Sequence, residues 1–164
     1  PSSAASVVFK GQVQYAATFG FKVWLQPEDP YLARDGVAHE GEVATRLGLP
    51  GIPVCAETIA LSRLLVLVRE TGVALHVRRI SSAAGLEGIA RAKDAGLPVT
   101  CDISINHLHL CEQDIGYFNP QARLIPPLRT SADREALRRG LADGTVDALC
   151  SDHTPVDDLS LIHI

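Results

Sequence analysis

Short apolar runs alternate along this chain with longer stretches of helical periodicity. Phe21 to Leu25, Val73 to Val77, Pro98 to Ile103 and Val146 to Cys150 are each dense in Val, Ile, Leu or Cys. Such runs predict strands buried on both faces, as parallel strands are. Between them, Glu57 to Glu70 carries Ile59, Leu61, Leu64, Leu65 and Val68 near helical spacing, and Thr71-Gly72 then stops it. Ser82 to Ala95 predicts a second helix, closed by Gly96 with Pro98 beyond. Ser131 to Ala142 predicts a third, opened by a capping pattern on Ser131 and Glu135 and ended by Asp143-Gly144. Strand, helix, strand, helix, strand, helix, strand is the order expected of βα units around a parallel sheet. Four such units make half of a (β/α)8 barrel of about 250 residues, or part of an open doubly wound sheet. Periodicity does not choose between them.

Two stretches interrupt the alternation. Pro27 to Pro53 is rich in proline, glycine and charge, and reads as a long loop with a short helical turn around Val43 to Leu47. Asn106 to Arg129 follows the third strand and ends in Pro126-Pro127-Leu128-Arg129. Both would lie at the C-terminal mouth, where α/β barrels keep their sites.

Composition narrows the class. A 46% apolar and 21% charged chain is that of a globular protein, and its apolar runs fall far short of the roughly 20 residues a bilayer-crossing helix needs. The net charge of -4 and the scattered arginines argue against a nucleic-acid partner. Cys55, Cys101, Cys111 and Cys150 form no CxxC pair, so they read as small buried hydrophobes in a reducing compartment, by default the cytoplasm. The chain starts at Pro1 and contains no methionine, as expected of a piece cut from something longer. Its last six residues, Leu159 to Ile164, resemble a sequencing-library adapter translated in frame, so the biological sequence is taken to end near Asp158.

Candidate chemistry is sparse. Asp152-His153 follows the fourth strand, where Asp152 is either a metal ligand or general base, or a turn residue capping backbone amides. His107 and His109 would share one face of an extended segment, but no third ligand of fixed spacing accompanies them. His76, inside a strand, reads as a hydrogen-bonded core histidine. Arg78 and Arg79 point to opposite faces of a strand, so one of them aims inward or sits at the mouth. Arg79 then either pairs with a carboxylate such as Asp102 or Asp152, or binds an anionic substrate bidentately.

Taken in order, five segments resemble the second half of a bacterial dihydroorotase. LGLPGIPVCAETIALSRLLVLVRETG (Leu47 to Gly72) is similar to the family's G-x-P-x-x-A-E stretch and the helix after it. LHVRRISS resembles "LHICHIS", and GLPVTCDISINHLHL resembles "GLPVTAEVTPHHLLL". LIPPLR resembles "VNPPLR", and ADGTVDALCSDHTPV resembles "DGTIDAIATDHAPH". The resemblance implies an α/β fold in which residues 1–158 form the C-terminal half of a (β/α)8 amidohydrolase barrel, about strands five to eight. It also implies a zinc enzyme that interconverts dihydroorotate and carbamoyl aspartate, with metal-bound hydroxide as nucleophile and a carboxylate as proton shuttle.

Carried over residue by residue, the resemblance keeps Asp152 as the barrel-end acid and substitutes much of the rest. The histidine of the family's "HAED" aligns with Gln26, and the metal histidine of "HICHIS" aligns with Arg79. The substrate-contacting asparagine before PPLR is Ile125, and the last histidine of "DHAPH", which touches the substrate carboxylate, is Val156. A guanidinium about 4 Å from a divalent zinc repels it by about 8 kcal/mol at an effective dielectric of 20, and arginine cannot shed its proton to become a ligand. The expectation is a zinc-deficient, non-catalytic homologue that assembles with aspartate carbamoyltransferase in pyrimidine synthesis. An active zinc-dependent dihydroorotase or related cyclic amidohydrolase is the alternative, and a carboxylate sensor built on Arg79 is a third reading.

Overall fold

A computed structural model describes residues 2–154, with side chains from residue 9 onward. Val156 and the segment 159–164 lie outside the described residues. The chain opens on a helix that periodicity did not mark, α1 (Ser2–Thr18). Phe9, Val13, Ala16 and Ala17 of this helix meet the core. Half of that inward stripe is alanine, too weak a contrast to announce a helix.

The four expected strands are β1 (Val23–Leu25), β4 (Leu75–Val77), β5 (Val99–Ser104) and β6 (Ala148–Cys150). They form one parallel sheet in the order β1-β4-β5-β6. Val23 lies opposite Leu75, Leu75 opposite Val99, and Asp102 opposite Ala148. Each crossover carries a helix: α3 (Val54–Thr71), α4 (Ala83–Asp94) and α6 (Ser131–Ala142). Gly72, at φ 67, ends α3 in the left-handed conformation that a glycine adopts without strain. The capping box of α6 sits on Thr130 and Asp133, not on Ser131 and Glu135: Asp133 N donates to Thr130 Oγ1 at 3.2 Å, and Thr130 N donates to Asp133 Oδ2 at 3.2 Å. Thr130 and Asp133 have the three-residue spacing that the box geometry requires.

The core lies between these helices and the sheet. Leu61, Leu64, Val68, Leu86, Ile89 and Leu137 face Leu75, Val77, Cys101 and Ile103. Burial pushes the Cys101 thiol up to about 12, with Lys93 opposing the shift. Cys111 is buried as well, whereas Cys150 is half-buried and Cys55 exposed, so only two of the four cysteines behave as core residues. A Cβ on Gly140 would meet Cδ2 of Leu86, so the close approach of α6 to α4 there would require the Leu86 side chain to shift.

Both mouth insertions are folded. Residues 27–53 contain a second parallel pair, β2 (Ala38–His39) with β3 (Gly51–Ile52), joined by α2 (Glu42–Leu47) where a helical turn was predicted. The insertion after β5 begins as a one-turn helix, α5 (Ile105–His109), and continues through 3-10 turns at Glu112–Ile115 and Pro120–Ala122. The two insertions share a small core of Ala38, Val43, Ala44, Ile115, Ala122 and Leu128. Among the described residues, no helix is long and apolar enough to cross a membrane.

Candidate functional site

The C-terminal ends of β1, β4 and β6 each deliver one side chain to the same point. Gln26 follows β1, Arg79 lies just beyond β4, and Asp152 follows β6. Arg79 Nη1 donates to Asp152 Oδ1 at 3.0 Å, and Arg79 Nη2 donates to Gln26 Oε1. Gln26 Nε2 donates in turn to Glu28 Oε2 at 3.0 Å. The ion pair is largely withdrawn from water, its side chains 21% and 12% exposed. Arg79 Nε is buried without a partner among the described residues.

Arg79 reaches this point because its backbone is bent to do so. Its φ is 53, in a region that non-glycine residues rarely adopt. The bend is held by Asp102, whose Oδ1 accepts the Arg79 backbone N–H at 2.7 Å. Asp102 Oδ2 lies 2.9 Å from His76 Nε2, and since an ionised carboxylate can only accept, that nitrogen carries the proton. His76 Nδ1 meets Thr100 Oγ1 at 2.8 Å, and the Trp24 ring lies 4.2 Å from the imidazole. His76 is thus the hydrogen-bonded core histidine expected. The two proposed partners of Arg79 are both used, Asp152 by the side chain and Asp102 by the backbone.

Other expected residues are placed apart. The extended H-x-H face does not form, because Ile105–His109 is helical and residues two apart on a helix point in different directions. His107 is buried with Nε2 on Pro127 O at 3.1 Å, while His109 is exposed. Ile125, in the second insertion, is 48% exposed.

A second buried network was invisible in the sequence. Glu57, on α3, accepts from the backbone N–H and hydroxyl of both Ser81 and Ser82. Arg129 Nε donates to Ser81 Oγ at 3.1 Å, and its Nη1 donates to Ile52 O at 2.7 Å and to His39 Nδ1 at 3.0 Å. Burial holds both Arg129 and His39 below their usual proton affinity. The one available signal was a carboxylate on the inward stripe of α3, beside Ala56 and Leu61.

Gln26, Arg79 and Asp152 do not by themselves fit a zinc ion. Among the described residues no three His, Cys, Asp or Glu side chains converge to hold a metal. At the Gln26, Arg79 and Asp152 positions the single strong ligand is the Asp152 carboxylate, and a permanent cation already occupies it.

No family model matches the chain. Its sequence is 45% identical over 152 residues to a protein named dihydroorotase-like from Pseudomonas aeruginosa, covering 93% of this chain and 36% of that protein. It is 42% identical over 153 residues to a dihydroorotase of an Anaeromyxobacter species, covering 92% and 35%. The L-hydantoinase (dihydropyrimidinase) of Arthrobacter aurescens superposes with a TM-score of 0.76 at 26% identity, covering 88% of this chain and 33% of that one. A Campylobacter jejuni dihydroorotase superposes at 0.65 with 15% identity, a likeness of fold alone, covering 88% and 37%. The parallel sheet and its helices therefore match the barrel of these proteins and not an open doubly wound sheet. The chain spans about a third of the length of the relatives it matches.

Proposed function

We propose, from the premise that this chain is homologous to the dihydroorotases and dihydroorotase-like proteins, that it is part of a non-catalytic member of pyrimidine synthesis. Its role is that of a structural, cytoplasmic partner of aspartate carbamoyltransferase. The observation that carries the reading is the Arg79 guanidinium seated between Gln26 Oε1 and Asp152 Oδ1. An acid that is to activate water must be free to take a proton, whereas Asp152 is committed to a cation that never releases one. Gln26 supplies an amide oxygen in place of an imidazole, a poorer ligand for zinc.

Co-expression of the full-length protein with aspartate carbamoyltransferase, followed by size-exclusion chromatography and a dihydroorotate assay, tests the reading. Co-elution without turnover by the barrel protein is the expected outcome. Separate peaks together with metal-dependent turnover would overturn it and favour an active cyclic amidohydrolase, the reading that draws on the retained Asp152.

A further inference from the structure

We infer that Arg79 is a cation built into the chain at the position where the family resemblance puts a metal, and that it cross-links three strand ends without one. The inference rests on the reading of Gln26 and Arg79 as substituted ligand positions. It does not depend on the partner proposed above. Three observations carry it.

The first is connectivity. Gln26, Arg79 and Asp152 follow β1, β4 and β6, and β6 is not a neighbour of either other strand in the sheet. Among these three residues, the guanidinium alone ties the end of β6 to the ends of β1 and β4.

The second is geometry. A metal gathers electron-pair donors around one positive centre, and here two oxygens, Gln26 Oε1 and Asp152 Oδ1, turn their lone pairs to separate nitrogens of one planar, positively charged fork. Lysine, a point charge, would not reproduce that fork.

The third is preparation. Asp102 accepts the Arg79 N–H at 2.7 Å and is itself held by His76 at 2.9 Å, so the left-handed backbone that aims the side chain is fixed from beneath. With the pair mostly buried, removing either partner leaves the other charge without compensation.

Thermal unfolding of the full-length protein, with chelator and with added zinc, tests the inference alongside metal analysis of the purified protein. The wild-type midpoint should not move with either addition. Arg79→Met should lower the midpoint by several degrees, with no recovery in zinc. Gln26→His with Arg79→His should give a midpoint that rises with zinc and falls with chelator. A wild-type midpoint that drops on chelation as zinc is released would overturn the inference, and so would an Arg79→Met midpoint equal to wild type. If Arg79→Met does not fold, Arg79→Lys carries the test: its midpoint should lie below wild type, and equality would count against the fork. An inactive protein stabilised by metal would sink the cross-link and leave the non-catalytic reading standing. An active protein indifferent to chelator would do the reverse.

Discussion

Arg79 and Asp152 illustrate how far single residues could be read. That one of two consecutive arginines would meet a carboxylate at the mouth was legible from the cost of leaving a charge unpaired, but strand alternation was not the cause, since β4 ends at Val77 and Arg79 lies beyond it. The division of labour between Asp102 and Asp152 was not legible, because it depends on the left-handed φ of 53 at Arg79. Asp152→Ala in the full-length protein should cost up to about 3 kcal/mol in urea unfolding, since it strands a mostly buried guanidinium. A second prediction concerns pH. Burial lowers the proton affinity of His39 and His107 in the fold. Their contribution is therefore complete above the unfolded value of 6.5 and is lost as pH falls from there toward the lowered folded values. Burial raises Glu112, which acts in the opposite sense nearer its ordinary value of 4.5. Urea midpoints should fall between about pH 7 and the lowered folded values, by at most about 1.4 kcal/mol per pH unit for each histidine. His107→Gln should flatten that slope, and an unchanged slope would show that the ring binds protons equally in the folded and unfolded states.

At the scale of elements, the strands and the helices after them were recovered because each carries its own local period. The Glu57, Ser81, Ser82, Arg129 and His39 network has no period: Arg129 and His39 are 90 positions apart, and Arg129 and Ser81 are 48 apart. Side chains that meet across two insertions leave no trace in spacing. Arg129 is the hub, since it bonds Ile52 at the end of β3, His39 of β2 and Ser81 after β4. Arg129→Met should cost about 1 to 3 kcal/mol, because it leaves the buried acceptors Ile52 O, His39 Nδ1 and Ser81 Oγ without their donor. It should also expose both insertions to limited proteolysis before the sheet is lost. Simultaneous cleavage throughout the chain would show that the insertions are not held through this residue.

At the scale of the molecule, the alternation of strand and helix identified the class, and the order of motifs identified the barrel. Neither revealed α1, whose inward face is half alanine. Among the described residues, β1 pairs only with β4, and β6 only with β5, so each outer edge keeps a row of unpaired backbone groups. Trp24 and Leu149 on these edge strands are 60% and 48% exposed. Open parallel edges flanked by apolar side chains template association. Residues 1–158 expressed alone should therefore aggregate, and a soluble monomer with a cooperative thermal transition would refute that expectation.

The cross-link at the mouth also bears on how such a site could change over generations. Glutamine codons and two of the six arginine codons lie one base from histidine, so the glutamine exchange is a single-base step and the arginine exchange is one from those two codons. Taken singly they lead nowhere useful. Restoring histidine at Gln26 alone leaves the guanidinium in place, and replacing Arg79 alone gives up the bridge before a metal can stand in for it. On the proposal above, charge carried on the chain and charge borrowed from solution are alternatives that exchange only when both positions change together.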